Sequence, residues 1–175
     1  DDIALIRIDN PPVNALSNHV RQGLLDGMKQ AESSEASAIV LICDGRTFIA
    51  GADITEFSGP PMPPSLQSAQ DAMENCTKPV VAAVHGTALG GGLEVALCAH
   101  YRVGSPSSQY GLPEVKLGLL PGAGGTQRLP RVTGAEKALQ MMTSGDPISA
   151  EEALACGLID EIAEELEAGA IAFAR

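Results

Sequence analysis

The stretch PVVAAVHGTALGGGLEVAL, residues 79–97, decides the fold. It opens as an apolar run of strand length between Pro79 and Gly86, with no polar alternation, which predicts a strand buried on both faces. It then passes through Gly90, Gly91 and Gly92 and ends as a helix carrying Glu94. Three glycines cost backbone entropy, and a carboxylate on an apolar helix costs desolvation. A helix N-terminus has free N–H groups and a positive dipole end. Glycine there lets a reacting oxygen reach the backbone with no Cβ in the way. The pattern therefore predicts an oxyanion hole, in which an acyl carbonyl becoming an enolate is held by backbone amides, with Glu94 one turn further on.

Outward from this stretch the same alternation continues. IALIRID (3–9) reads as a strand, and Ser17 is placed to cap a helix whose apolar face is Val20, Leu24, Leu25, Met28 and Ala31. AIVLIC (38–43) is a second buried strand, DGRTFIAGAD (44–53) a glycine-punctuated turn and GPPMPP (59–64) a proline-rich loop. Leu66, Ala69, Met73 and Cys76 mark another amphipathic helix. YRVGS (101–105) and SQYGL (108–112) are short strands, and helices are expected in 122–129 and 134–145. Ser149 with Glu152 forms a capping box, and Gly157 ends that helix. LIDEIA returns to strand, and EELEAGAIAFAR is a terminal helix. Strands alternating with helices give an α/β fold in one domain over residues 1–175.

Composition narrows the function. Apolar residues make up 45% and charged residues 19%, as in a globular chain; aromatics are only 3%, so the core rests on Ala, Val, Leu and Ile. A net charge of −11 argues against a nucleic-acid partner, since phosphate binding needs a basic surface. Cys43, Cys76, Cys98 and Cys156 are widely spaced, so reduced thiols are expected, with neither a metal site nor a disulfide framework. The sequence has no run of 18 apolar residues and no signal-peptide pattern.

Several chemistries lack their motifs. The dinucleotide fingerprint, the P-loop and the nucleophile elbow are absent, and His19, His85 and His100 have no clear nucleophile partner. GAGGTQ supplies only a weak G-x-G after a proline turn. Twenty residues beyond Glu94, however, comes Glu114 in GLPEVKLGLLPGAGGTQRLPR. Two carboxylates in apolar surroundings beside an oxyanion donor suit acid–base work. If they meet, desolvation and mutual repulsion favour leaving one protonated. The bland alternative is a pair of surface or structural glutamates.

These segments also carry a resemblance. AVHGTALGGGLEVALCAHYRV (83–103) with YGLPEVKLGLLPGAGGTQRLPR (110–131) resembles the enoyl-CoA hydratase/isomerase, or crotonase, superfamily, in particular the N-terminal hydratase part of bifunctional fatty-acid oxidation enzymes. RTFIAGADITEF (46–57) and TSGDPISAEEALACGLIDEI (143–162) resemble the family's other signature segments. The resemblance implies a ββα spiral and hydration of 2-trans-enoyl-CoA to 3-hydroxyacyl-CoA in β-oxidation. It implies an oxyanion hole at the amides of Ala52 and Gly91, with Glu94 deprotonating water and Glu114 delivering a proton to the α-carbon. Coenzyme A, part of the substrate and not a cofactor, would lie along Ala50, Ala52, Asp53, Ile54 and Thr55, with Gly91. Many relatives have Lys where this chain has Thr55. No metal and no other cofactor is implied. The compartment implied is cytoplasmic, or peroxisomal in a eukaryote. The alternatives are 3,2-enoyl-CoA isomerisation, which the presence of both glutamates ranks behind hydration and leaves open as a second activity, and a silent binding scaffold.

The resemblance also implies what is absent. The family continues into helices that cover the acyl pocket and build a homo-oligomer, so a C-terminal helical region or a dehydrogenase part of a multifunctional chain is expected beyond Arg175. Since the chain opens at Asp1 and not at Met, its natural start is expected upstream. The stripe Leu166, Ala170, Ile171, Phe173 and Ala174 is expected to need a cover from those extra segments.

Overall fold

The computed structural model describes residues 2–60 and 62–175, so Asp1 and Pro61 of the proline-rich loop lie outside the described residues. Strand β1 (Ile3–Ile8) leads through helix α1 (Asn18–Ser33) to β2 (Ala38–Cys43), and α2 (Leu66–Glu74) to β3 (Val80–Val84). Next come β4 (Thr87–Leu89), α3 (Gly91–Ala96), β5 (Tyr101–Gly104) and β6 (Gln109–Gly111). Helices α4 (Gly125–Thr133) and α5 (Ala135–Ser144) precede β7 (Ile148–Ser149), α6 (Ala150–Ala155), β8 (Glu161–Ile162) and α7 (Leu166–Ala174). The strands form a five-stranded parallel sheet, ordered β1-β2-β3-β5-β8, and a smaller sheet ordered β4-β6-β7.

The continuous apolar runs read as buried strands are β2 and β3, two of the three inner strands of the larger sheet, and every residue in both is buried. Side chains alternate between faces along a strand. Ile39, Leu41, Val80, Ala82 and Val84 point into the main core. Val40, Ile42, Val81, Ala83 and Val103 form a second core on the opposite face. Helix α7 packs there, with Ala170 fully buried and Leu166, Ile171, Phe173 and Ala174 half-buried against it. The stripe expected to need an outside cover therefore lies on the chain's own sheet, which is the physical correction to that expectation.

Two strands, one to each sheet, then a helix, make the repeating turn of the spiral. β3 passes to β4 through Gly86, at φ +58, where a Cβ would stand 2.8 Å from Thr47 Cα. β5 likewise passes from the larger sheet to β6 in the smaller one, through residues 105–108. β4 and β6 pair in parallel, with Ala88 opposite Tyr110. The sequence reading assigns no element to residues 87–89 and so misses β4. A strand of three residues is too short to show a period. LIDEIA yields only the two-residue β8.

Candidate active site

The small sheet places three segments side by side at its C-terminal end. Segment 49–52 runs beside β4 through an Ile49–Ala88 bridge, and the Leu89 N–H donates to Ile49 O at 3.1 Å. The Gly90 N–H donates to Gly111 O at 2.9 Å, tying the start of α3 to the end of β6. Leu16 closes the other side through a bridge to Ala52. Gly90 has φ +53, a conformation L side chains rarely adopt, and this turn swings α3 away at once. The chain thus delivers Ala52, Gly91, Glu94 and Glu114 to one place.

That place is a cavity of about 990 Å³, lined by all four of these residues. A Cβ built on Gly91 would lie 3.8 Å from the Ala52 nitrogen and 3.1 Å from Leu16 Cδ1, so Gly91 passes close to the Ala52 backbone where a side chain would crowd it. Ala50, Asp53 and Ile54 line the same cavity. Thr55 does not. Its hydroxyl donates to Asp53 Oδ1 at 2.7 Å and its N–H to the same oxygen at 3.0 Å. These two bonds hold the Asp53 carboxyl below its ordinary pKa.

Glu94 is 2% exposed. Its Oε1 accepts the N–H groups of Ala123 and Gly125, each at 2.8 Å. Gly125 opens α4, so the carboxylate also meets the positive end of that helix. With Oε1 a double acceptor, Oε2 is the oxygen left for a ligand. A Cβ on Gly125 would stand 3.0 Å from Oε1, so glycine there is a condition of this contact.

Glu114 follows β6 in a 3-10 turn, Pro113–Leu117. Its Oε2 is buried and has no hydrogen-bond partner among the described residues. Burial pushes its pKa up from the ordinary value, and the negative charge of Glu94 adds to the rise. Two carboxyl groups of unlike setting therefore face one cavity. One is gripped by amides and the other is poised toward its neutral form.

The sequence of this scaffold matches a known family. The profile of the enoyl-CoA hydratase/isomerase family covers residues 1–175. The chain belongs to that family. A peroxisomal bifunctional enzyme of Danio rerio is 51% identical over 93% of this chain and 23% of its own length. A probable enoyl-CoA hydratase of Bacillus subtilis is 41% identical over 98% of this chain and 72% of its own length. Among solved structures, an enoyl-CoA hydratase from Bacillus anthracis superposes with a TM-score of 0.88 at 33% identity, over 97% of this chain and 71% of that one. The chain thus spans about a quarter of the bifunctional relative and under three quarters of the single hydratases.

Within this enoyl-CoA hydratase/isomerase fold, the grip on Glu94 escaped the sequence reading. GAGGTQ reads as no more than a weak G-x-G, yet Ala123 and Gly125 within it are the donors to Glu94. The available signal was the density of glycine at 122–125, which marks close backbone approach. Gln70, whose amide reaches Ala123 O at 2.8 Å, left no signal at all in its helix pattern. Among the described residues no cluster of His, Cys, Asp or Glu is grouped to hold a metal ion, and no helix is long and apolar enough to cross a membrane.

Proposed function

We propose that this domain hydrates 2-trans-enoyl-CoA thioesters to 3-hydroxyacyl-CoA. The observation that carries the reading is that Glu94, Glu114, Ala52 and Gly91 border one cavity. The thioester oxygen would accept from the Ala52 and Gly91 amides, which stabilise the enolate as charge moves onto it. Glu94 would take a proton from water through Oε2 as the water oxygen bonds to C3. Glu114, the carboxyl poised toward neutrality, would give its proton to C2. The water thus supplies the hydroxyl at C3 and Glu114 the hydrogen at C2; the proton gained by Glu94 leaves to solvent and Glu114 regains one from it, which resets the two carboxyls.

Coenzyme A would lie along Ala50–Ile54, by backbone more than by charge. Thr55, turned to Asp53, is a weak candidate for a phosphate contact. A second activity, 3,2-isomerisation, needs one group to carry a proton between two carbons. The Oε2 of Glu114, without a hydrogen-bond partner among the described residues, favours that residue for it. The higher identity to peroxisomal bifunctional enzymes, 51% against 41%, supports work within a longer multifunctional chain and a peroxisomal setting.

The test is loss of crotonyl-CoA absorbance on hydration, with parent, Glu94→Gln and Glu114→Gln proteins compared. Turnover by the parent and loss in both variants is the expected result. A parent that binds crotonyl-CoA without turning it over would support the silent scaffold instead.

A further inference from the structure

Helix α2 carries one polar side chain with no exposure at all. Gln70 is 0% exposed and sits between the equally buried Ala69 and Met73. Its Nε2 donates to Ala123 O at 2.8 Å. Its Oε1 is buried with no hydrogen-bond partner among the described residues. Turning the amide over would set Oε1 against the Ala123 carbonyl, so an unsatisfied atom remains in either orientation. Methionine or leucine would fill this space with no orphaned acceptor. A buried amide kept at a cost to folding calls for a role outside folding.

The single bond it makes indicates that role. We propose that Gln70 is a positioning residue for Glu94, acting through Ala123. Three of the four residues from Gly122 to Gly125 are glycine, with Gly124 at φ +92. Such a segment has almost no side chain of its own with which to pack, and its backbone freedom is large. Yet it supplies both donors to Glu94 Oε1, the N–H groups of Ala123 and Gly125. Two carbonyls lie between those donors: that of Gly124 accepts from the N–H groups of Gln127 and Arg128, and the other is that of Ala123. It is anchored by Gln70 Nε2 and by Arg128 Nη1, the latter at 3.1 Å. Arg128 is itself held by both oxygens of Glu74, one turn after Gln70 on α2, at 3.0 and 2.8 Å. Helix α2 thus fixes the loop that fixes the carboxylate. Arg128 is held at a partly exposed carboxylate, whereas Gln70 is the fully buried anchor.

This inference rests on the proposed role of Glu94. Its test uses Gln70→Met and Gln70→Leu in the full chain, assayed with crotonyl-CoA and by thermal melting. Positioning predicts a kcat lower by roughly 10-fold, the low end of what losing a supporting hydrogen-bond partner costs at metal sites, with little change in KM. The melting temperature should hold or rise, because the orphaned acceptor has gone. On a Glu94→Gln background, Gln70→Met should cause no further loss, since both act through one carboxylate. Parental kcat in the Gln70 variants, or losses that multiply in the double variant, would overturn the proposal. So would a drop in melting temperature in both variants that accounts for their lost activity. If Glu94→Gln alone keeps parental activity, the reading of Glu94 fails and this inference with it. If Glu94→Gln is inactive while Gln70→Met is not, only the inference fails.

Discussion

The Gly125 N–H donates to Glu94 Oε1 at 2.8 Å, and a Cβ at position 125 would stand 3.0 Å from that same oxygen and 3.1 Å from Glu94 Cγ. The donor and the missing side chain are therefore one requirement. Gly125→Ala keeps the N–H and is favourable in a helix, yet it must push the carboxylate aside. We expect a well-folded variant whose hydration rate falls by up to ~10²-fold, the scale on which small misplacements of reacting groups act. Steady-state kinetics beside a melting curve checks this. A parental rate would mean that Glu94 has room to move without consequence.

Glu94→Gln and Glu114→Gln are each expected to cut hydration by at least ~10²-fold, because positioned acids and bases commonly contribute ~10²–10⁴. Isomerase turnover of a 3-enoyl-CoA should depend more on Glu114, since no water is activated in that reaction. Equal loss of isomerisation in the two variants would count against dividing the roles this way.

How far these residues were readable depends on the range of the interaction. Ser17 accepts the Val20 N–H at 3.4 Å and Ser149 the Glu152 N–H at 3.3 Å; both caps are local and could be read from spacing. The runs 38–43 and 80–84 showed their double-sided burial through composition alone. By contrast, Glu94 is held by residues 29 and 31 positions away, and Gln70 reaches 53 positions to Ala123. No periodicity encodes such pairs. Glu94 and Glu114 stood out because carboxylates in apolar segments are costly, and the resemblance assigned their roles. Gln70 stood in a helix pattern that an ordinary polar face would also give.

The raised pKa of Glu114 has a consequence for stability. A group whose folded pKa lies above its ordinary value of 4.5 contributes stability that is fully present below that value and lost as pH rises through the folded one. At neutral pH the carboxyl is therefore a burden to the fold, from burial first and from the charge of Glu94 second. Glu114→Gln cannot ionise. It should melt above the parent at pH 7, by a modest margin because the residue is only half-buried, and the gap should close near pH 4. Melting curves across that range decide it, and a gap that does not change with pH would remove ionisation as the cause.

Gly91 is expected to act through its backbone. It lines the cavity together with Ala52, and a Cβ there would crowd Leu16 Cδ1 at 3.1 Å. An ester bond in place of the residue 91 amide, introduced semisynthetically, removes the donor and keeps the shape. Loss of one oxyanion donor costs ~2.7–4 kcal/mol in kcat at comparable sites. Full activity with the ester would leave Gly91 only a packing role.

Helix α7 gives the control for all of these, because it stabilises the sheet from the face turned away from the cavity. Ala170 is fully buried against the second core, whose members include Val40, Ile42, Val81, Ala83 and Val103. None of these five lines the cavity. Ala170→Asp would bury a carboxylate with no partner, a mechanism that belongs to the large-effect class of point mutations, on the order of 3 kcal/mol or more. Phe173, which meets Tyr101 edge-on at 5.5 Å between ring centres, is half-buried. Phe173→Ala should therefore cost about 1–3 kcal/mol, less than the ~3–5 kcal/mol of a fully buried phenylalanine. Both variants should lower the denaturant midpoint. Folded Phe173→Ala protein should keep the parental kcat and KM for crotonyl-CoA. A changed KM at parental stability would show that the far face of the sheet reaches the substrate, and the separation of the two cores would then have to be abandoned.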